Sequence, residues 1–392
     1  MKKLLTRSVI CASVCGAFSV SCQAQSRVTL YGVLDEGIMY QNNVSGGSRV
    51  ALDSLTGLLG SRWGMTGVEE LGGGLKAIFT IESGINLNNG AFGQGGTAFG
   101  RQVFVGLNSD RFGGLTFGRQ YDMIFYFPLP LTAASLVGAS VATHPGDLDN
   151  GANTVRVNNA IRYMSPVYRG FSFGGEYSVG GVAGNTTANS GYSVGMGYTG
   201  GSLAVGAAFE YFKNPTSSTP GSGFFTDNAN GVSPLSQSLN KGYTSASAYQ
   251  SAIVAGKYTI GSLALAASYS NVQYANLSAA LHGGTARFNN FDVGALYYIS
   301  PFFTVGVAYD YLIGKGVTNA EGQTIGNQHY HQVSILTDYF LSKRTDVYLG
   351  AGWQRASGTS STGAPAVADI DNLGDSSNNH QFLIRAAIRH KF

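Results

Sequence analysis

The sequence predicts an all-β fold, a closed antiparallel transmembrane β-barrel of sixteen strands with one loop folded inward. Apolar and polar residues alternate over runs of about ten residues, near the roughly 9–11 that a tilted membrane-spanning strand needs and above the usual 5–6 or so. Tight turns and long polar stretches alternate between the runs, as is typical of barrels that cross a membrane. Tyrosine and phenylalanine recur near the ends of the runs, where an amphipathic ring lies at the lipid–water boundary.

The run 291–299 shows the alternation clearly. Phe291 and Val293 share one face of the predicted strand, and Asp292 and Gly294 lie on the other. A period of two with one apolar face indicates a strand that is buried on one side only. Because nothing in lipid satisfies the open edge of a sheet, a membrane-embedded sheet of such strands must close on itself.

Sixteen such runs follow one another along the chain. Each of the nine prolines lies in a loop or at the end of a run, as expected since proline cannot donate to the interior of a sheet. A barrel of about sixteen strands is wide enough to leave an aqueous lumen. The predicted strands span residues 27–40, 58–70, 75–88, 98–109, 114–122, 154–166, 170–180, 190–200, 202–213, 246–260, 262–275, 288–300, 302–313, 328–340, 344–357 and 379–392.

The first residues have the features of a secretory signal peptide. Three basic residues precede a mostly apolar stretch, 9–20, and Ala24 is a small residue suited to cleavage. The apolar stretch is shorter than the ~20 residues that a membrane-spanning helix needs. We therefore predict a signal peptide over residues 1–24 and a mature barrel over residues 25–392. Lipidation at Cys22 is the alternative.

Removal of that segment would change the composition. The segment carries all three cysteines, so the mature chain would have no disulfide and no thiolate metal site. It also carries three of the 24 basic residues, which leaves 21 to balance 21 acidic residues and gives no support for nucleic-acid binding. Charged residues make up 11% of the chain, against about 25% in soluble domains, which argues against a soluble protein. We expect neither a metal nor a cofactor.

The last predicted strand has one apolar and one cationic face. Phe392 belongs to the apolar face, and Arg385, Arg389 and Lys391 lie on the other. An arginine or lysine that faces lipid costs about 2–4 kcal/mol at the bilayer midplane. We therefore expect these three cations to face the lumen. The alternative is the edge strand of a soluble sheet.

Several segments resemble a known family, the trimeric general porins of Gram-negative bacteria in their β-proteobacterial branch. The resemblance covers the predicted mature chain. It implies a sixteen-strand barrel in the outer membrane, a homotrimer surrounded by outer-membrane lipid and lipopolysaccharide, and passive diffusion of ions and small hydrophilic solutes. Phe392 then corresponds to the terminal residue used in membrane assembly. The matching segments are 27–35 (RVTLYGVLD), 60–64 (GSRWG), 69–79 (EELGGGLKAIF), 118–122 (GRQYD), 159–166 (NAIRYMSP) and the closing Phe392.

The resemblance also implies a pore constriction between a basic wall and an acidic loop. By motif position, the basic residues are Arg62, Arg101 and Arg156, and the loop spans residues 122–153. Opposed charges in a narrow pore create a transverse field that sets ion preference. The alternative is that each arginine pairs with an acid elsewhere on the lumen wall.

The loop itself departs from the enteric members of that family. It lacks their Pro-Glu-Phe-Gly-Gly element, and Asp147 and Asp149 are its best acidic candidates. It also carries two apolar stretches, 125–131 and 133–137. Because exposed apolar loops are unfavourable, we expect the loop to fold into the barrel. An outward lid or a contact between copies is the alternative.

These features predict a channel and not an enzyme. The predicted channel is to be distinguished from three rival functions, so four functions are compared. The first is a non-specific diffusion channel, and the second is a substrate-selective channel with anion preference. The third is a barrel enzyme such as a phospholipase, which would need a serine–histidine pair on the lipid face. The fourth is an adhesin or structural barrel with a plugged lumen.

Overall fold

The computed structural model describes residues 26–216 and 235–392. The predicted signal peptide, residues 1–24, lies outside the described residues. The described strands are β1 Arg27–Val44, β2 Gly47–Asp53, β3 Arg62–Gly72, β4 Leu75–Gly84, β5 Gln102–Ser109, β6 Gly113–Gln120, β7 Val157–Met164, β8 Phe171–Ser178, β9 Gly191–Gly200, β10 Leu203–Lys213, β11 Ala248–Ile260, β12 Leu263–Ala275, β13 Ala286–Ser300, β14 Phe303–Lys315, β15 Val317–Thr318, β16 Thr324–Ile325, β17 Gln328–Phe340, β18 Thr345–Gly358 and β19 His380–Lys391.

Seventeen of these strands form one sheet that closes on itself. Neighbouring strands are antiparallel, and β1 pairs with β19, from Val33 opposite Lys391 to Gln41 opposite Leu383. The two-residue strands β15 and β16 form a separate hairpin. Strands β2 and β3 lie end to end along β1 and occupy one position of the wall. The predicted sixteen-stranded barrel is therefore confirmed.

The first hairpin differs from the prediction. The sequence placed a loop between residues 40 and 58, but β1 continues to Val44 and turns back directly into β2. Ser45 and Gly46 have φ of 52° and 97°, the left-handed pair that a two-residue hairpin turn requires. Residues 54–61 then leave the wall before β3 begins. The predicted strand 58–70 is therefore four residues too long at its start.

The two faces of the wall have the predicted character. Val293 is 54% exposed on the outer face, whereas Asp292 next to it is 3% exposed on the inner face. The same contrast holds between Trp353 and Gln354 on β18. Apolar side chains therefore cover the outside of the barrel, and polar side chains point into it, as a barrel in lipid requires.

The connections alternate in length. Short turns follow β3, β5, β9, β11, β13 and β17, whereas long connections follow β4, β6, β8, β10, β12, β14 and β18. None of the helices in the described part of the chain is long and apolar enough to span a membrane. The helices are α1 Gly93–Gly96, α2 Met123–Tyr126, α3 Ala133–Val137 and α4 Ala139–Ala142, with 3-10 turns at Leu129–Leu131, Pro145–Asp147, Lys241–Tyr243, Ala279–Leu281 and Ile370–Asn372.

Candidate pore constriction

The connection between β6 and β7, residues 121–156, lies inside the barrel. We call it loop L3. Met123 and Ile124 of α2 and Val137 of α3 are fully buried, although they belong to a loop. They pack with inner-face residues of the wall, such as Ala208 and Leu336. The apolar stretches of the sequence are therefore hidden against the wall, which is what their composition predicts.

Glycines on the inner face give loop L3 room to lie close to the wall. A Cβ added at Gly294 would lie 2.7 Å from the Cβ of Ala133. One added at Gly306 would lie 3.2 Å from a methyl group of Val137. Side chains at these wall positions would push the loop toward the pore axis. The glycines of the inner face therefore help to set the width of the channel.

Polar wall residues fix the middle of loop L3. The Asp292 carboxylate on β13 accepts the N–H groups of Ala133 at 2.8 Å and Ala134 at 3.3 Å, at the start of α3. On β17, the Gln332 amide donates to the carbonyl oxygen of Thr143 at 2.9 Å. These bonds satisfy backbone groups that would otherwise be buried without partners.

His144 anchors the return of loop L3. Its Nδ1 lies 2.8 Å from Asp149 Oδ2, and its Nε2 lies 3.1 Å from Asp292 Oδ2 and 3.7 Å from Asp310 Oδ2. Burial by itself would lower the pKa of His144, but Asp149 and Asp310 outweigh burial and hold that pKa well above its usual value. A protonated imidazole among three carboxylates therefore ties the loop to β13 and β14.

A cavity of about 620 Å³ lies between loop L3 and the opposite wall. One side carries Arg62, Arg101 and Arg156 around Tyr121. Glu82 pairs with two of them: its Oε1 lies 2.7 Å from Arg101 Nε, and its Oε2 lies 3.8 Å from Arg62 Nε. Among the described residues, a single carboxylate therefore pairs with two of these three arginines.

Arg156 has no ion pair within residues 26–216 and 235–392. It is 4% exposed, its Nη1 donates to the Thr154 carbonyl oxygen at 2.8 Å, and its Nε has no hydrogen-bond partner within the same residues. Burial and the neighbouring Arg101 lower the pKa of Arg156 to about 10. Arg156 still carries its full charge at neutral pH.

The segment 54–61 between β2 and β3 narrows the lumen from the other side. We call it the inward segment. Leu55, Leu58 and Leu59 of this segment border the cavity. Leu58 also meets loop L3, because a Cβ added at Gly138 would lie 2.6 Å from a Leu58 methyl group. The inward segment therefore shapes the cavity together with loop L3.

A buried ion cluster holds the inward segment. Arg385 on β19 lies 2.5 Å from Asp53 Oδ2 and 3.1 Å from Asp35 Oδ1, and its side chain is inaccessible to solvent. The Tyr348 hydroxyl donates to Asp35 at 2.6 Å. The other oxygen of Asp35 accepts the N–H of Leu59 at 3.2 Å. The cluster thus joins β1, β2, β18 and β19 to the segment that enters the lumen.

The sequence pattern of the Gram-negative porin family matches residues 11–359, which is most of the chain. The chain belongs to the Gram-negative porin family. Porins of this family lie in the outer membrane, and this porin forms an outer-membrane channel for small solutes. The predicted family and location are confirmed.

Relatives in β-proteobacteria agree with this assignment. The porin is 36% identical to an outer membrane porin protein of Bordetella pertussis over 189 residues, which cover 44% of this chain and 48% of that protein. It is 29% identical to outer membrane porin protein 32 of Delftia acidovorans over 99% of this chain and 100% of that protein. Major outer membrane protein P.IB of Neisseria meningitidis serogroup B is 27% identical over 84% of this chain and 88% of that protein.

Solved structures share the fold of this porin. An anion-selective porin from Comamonas acidovorans matches with a TM-score of 0.67 at 22% identity, over 94% of this chain and 100% of that chain. The trimer form of OmpT from Vibrio cholerae matches with a TM-score of 0.59 at 17% identity, over 94% of this chain and 99% of that chain.

The arginines predicted for the wall of the porin lie together. Arg62 begins β3, Arg101 immediately precedes β5, and Arg156 immediately precedes β7. These strands alternate with β4 and β6 in the wall, and all three arginines border the same cavity. Their role in ion selection stays a prediction.

Only one of the two predicted loop acids borders the cavity. Asp147 does, but its carboxylate accepts the N–H groups of Ala152 at 2.7 Å and Thr154 at 3.1 Å, within its own loop. Asp149 points into the wall, bound by His144 and by the Ser270 hydroxyl at 2.5 Å. The expectation that Asp149 faces the arginines is therefore corrected. Its charge is used to hold the histidine.

The last strand places its three cations in different surroundings. All three point inward, but Arg385 is enclosed in the buried ion cluster. Arg389 borders the cavity and lies 3.1 Å from Asp346 and 3.5 Å from Asp338. Lys391 is half-buried near the end of the strand. The terminal Phe392 pairs with Gly32 through its backbone, N to O at 3.1 Å in both directions, and extends the closure of the barrel.

Sequence reasoning missed Glu82, Tyr121 and the inward segment. Glu82 had a usable signal, because it alternates with Ile81 and so lies on the inner face of its strand. Tyr121 lies within the quoted motif 118–122. The sequence contains no usable signal for the inward segment, because its leucines resemble the apolar positions of the strand that follows.

Proposed function

We propose that this porin is a passive channel that prefers small anions to cations. One observation carries the proposal: in the described part of the chain, Glu82 is the one carboxylate paired with Arg62 and Arg101, and neighbouring Arg156 pairs with none. Among the other acids that border the cavity, burial and Asp149 raise the pKa of Asp147 to about 7, and burial raises the pKa of Asp371 well above its usual range. Asp338 also borders the cavity, where it pairs with Arg389. Positive charge therefore exceeds negative charge in the narrow part of the lumen, which favours anions.

Reversal potentials in planar bilayers test this preference. In a tenfold gradient of potassium chloride, we expect the sign of an anion-selective channel. Arg156→Gln should reduce the chloride preference, and Glu82→Gln should increase it, because they remove opposite charges. Arg111→Gln, in an exposed turn outside the cavity, is the charge-matched control and should change nothing. Potassium preference in the unaltered protein would contradict the proposal.

We also propose the assembly and processing that the family resemblance implies. The support for a homotrimer is the family itself and a structural neighbour in trimer form. The support for a mature chain that starts at Gln25 is the pattern of residues 1–24. We propose that transport is the activity of the chain and that it catalyses no reaction. The support is its membership in a channel family.

A cationic row on the outer surface supports contact with lipopolysaccharide. Arg287 on β13 lies opposite Lys315 on β14, and Arg355 lies on β18. All three are exposed on the outer face at the rim of the long loops. Like charges directly opposite each other on a sheet are unfavourable unless an anion lies between them. We propose that phosphate groups of the outer-leaflet lipid provide that anion.

Co-purification with lipid tests the cationic row. The double variant Arg287→Gln/Lys315→Gln should retain markedly less lipopolysaccharide phosphate per protein after extraction in mild detergent. Arg111→Gln/Arg169→Gln, which removes two exposed charges from turns at the opposite rim, is the control. Equal phosphate content in the two double variants would overturn this assignment.

A further inference from the structure

We infer that the cavity is a binding site for small organic anions that combine one carboxylate with an apolar body, such as aromatic monocarboxylates. This inference rests on the proposed anion preference and specifies the class of solute. The charged end of the solute lies against the arginines, and its apolar end lies against the leucines of the inward segment and loop L3. The lining of the cavity contains both groups of side chains.

The cationic side has free capacity for a carboxylate. Glu82 already binds Arg62 and Arg101, and the Tyr121 hydroxyl donates to it at 2.7 Å. Arg156, by contrast, borders the cavity and forms no ion pair with any carboxylate of the described residues. A solute carboxylate beside Arg156 would supply that counter-charge and would offset the surplus charge of the three arginines.

Five leucines form an apolar part of the cavity lining, which we call the apolar side. Leu55, Leu58 and Leu59 border it from the inward segment, and Leu129 and Leu136 border it from loop L3. Inorganic ions and sugars gain nothing from such a surface. A benzene ring or a short alkyl chain gains free energy there in proportion to the apolar area it covers. The apolar side therefore distinguishes solutes of equal charge.

The size of the cavity fits such a solute. Its volume of about 620 Å³ lies within the range of roughly 300–1,000 Å³ that small-molecule sites occupy. The site is also open to the lumen, so a bound solute can leave toward either side. Conduction through a pore needs binding that is favourable enough to enter and weak enough to leave. A single organic carboxylate satisfies both conditions.

Competition with chloride current tests the inference. Single channels in potassium chloride are titrated with benzoate, acetate and benzamide, which separate charge from apolar body. Benzoate should reduce the current with saturation, at a half-blocking concentration at least about tenfold below that of acetate or benzamide. Equal block by benzoate and acetate would overturn the inference, since the apolar side would then have no effect. Equal block by benzoate and benzamide would also overturn the inference, since the charge of the arginines would then have no effect on binding.

Two variants locate the site. Arg156→Gln should raise the half-blocking concentration of benzoate about tenfold or more through loss of a charge-assisted hydrogen bond. Leu59→Asn should raise it for benzoate and leave acetate unchanged. Arg111→Gln and Leu87→Asn lie outside the cavity and serve as matched controls. If the two cavity variants match their controls, block occurs elsewhere and the assignment is wrong.

The reversal potential of the same channels separates this inference from the proposed function. Chloride preference together with no selective block by benzoate rejects the organic-anion site and leaves the anion channel in place. Potassium preference rejects the anion channel, whatever benzoate does. Chloride preference together with benzoate block that depends on Arg156 supports both.

Discussion

Replacing Arg385 with methionine is expected to destabilise the barrel and to raise its open-channel conductance. The substitution leaves Asp35 and Asp53 buried without their cation. Removal of one partner from a buried ion cluster costs about 3–5 kcal/mol, because the remaining charge is uncompensated. The same cluster holds Leu59 of the inward segment through Asp35. Release of that segment from its place in the lumen widens the pore.

Two measurements on purified protein check this expectation. The midpoint of thermal unfolding in detergent, followed by circular dichroism, should fall clearly, and single-channel conductance should rise. The triple variant Asp35→Asn/Asp53→Asn/Arg385→Met removes the stranded charges and should recover most of the lost stability. It should keep the high conductance, because the neutral side chains no longer fix the segment as strongly. An Arg385→Met protein with unchanged conductance would show that the inward segment is held by other contacts.

The wall of the barrel was predictable because its physical cause is local. Each strand between lipid and water must alternate, so Phe291 and Asp292 specify which face is outside without any knowledge of their neighbours. The predicted strand 328–340 coincides with β17, and most other bounds differ by only a few residues. Proline positions and glycine-rich turns added independent signals of the same kind.

The interior was less predictable because it depends on contacts far apart in the chain. The inward segment follows an apolar pattern that also suits a strand, and the ion cluster with Arg385 on β19 keeps it in the lumen. The direction of Asp149 depends on His144 and on Ser270 of β12. Asp147, two residues earlier, has a φ of 44° and turns toward the cavity instead. No local pattern distinguishes these two acids.

The three arginines at the cavity, Arg62, Arg101 and Arg156, were less predictable than the wall and more predictable than the rest of the interior. Their positions came from motifs, and their grouping followed once the strands were placed side by side. The balance of charge around the arginines could not be predicted in this way, because it depends on Glu82 and on the other acids that border the cavity. The net sign of a pore is a property of every side chain at one level of the lumen, and a register error of one residue moves a side chain to the other face.

Replacing His144 with glutamine is expected to loosen loop L3 and to make the channel noisy. Glutamine can keep one hydrogen bond, but it removes the positive charge that lies among Asp149, Asp292 and Asp310. Three carboxylates would then face one another in a buried site, which costs several kcal/mol, about 3–5. Current recordings should show frequent transitions between conductance levels. His282→Gln, in an exposed loop, is the control and should leave the recordings unchanged.

The pH dependence of the same recordings tests the charge on His144. A histidine whose pKa is raised in the folded state stabilises the anchor fully below its ordinary pKa of about 6.5, and this stabilisation is lost as the pH rises through the raised value. Asp147 acts in the same direction. Its pKa of about 7 means that stability falls as the pH rises from about 4 toward 7.

Asp149 determines the acidic end of the pH range in which the anchor of loop L3 is stable. Burial alone would raise its pKa, but the ion pair with His144 holds that pKa below its usual value, so its contribution is lost only in strong acid. The unaltered channel should therefore be quiet near pH 5 to 6 and increasingly noisy above neutrality. His144→Gln should be noisy throughout, with a much weaker pH dependence. An equal rise in noise between about pH 6 and alkaline pH in both proteins would assign the effect to other groups, because glutamine has no proton to lose in this range.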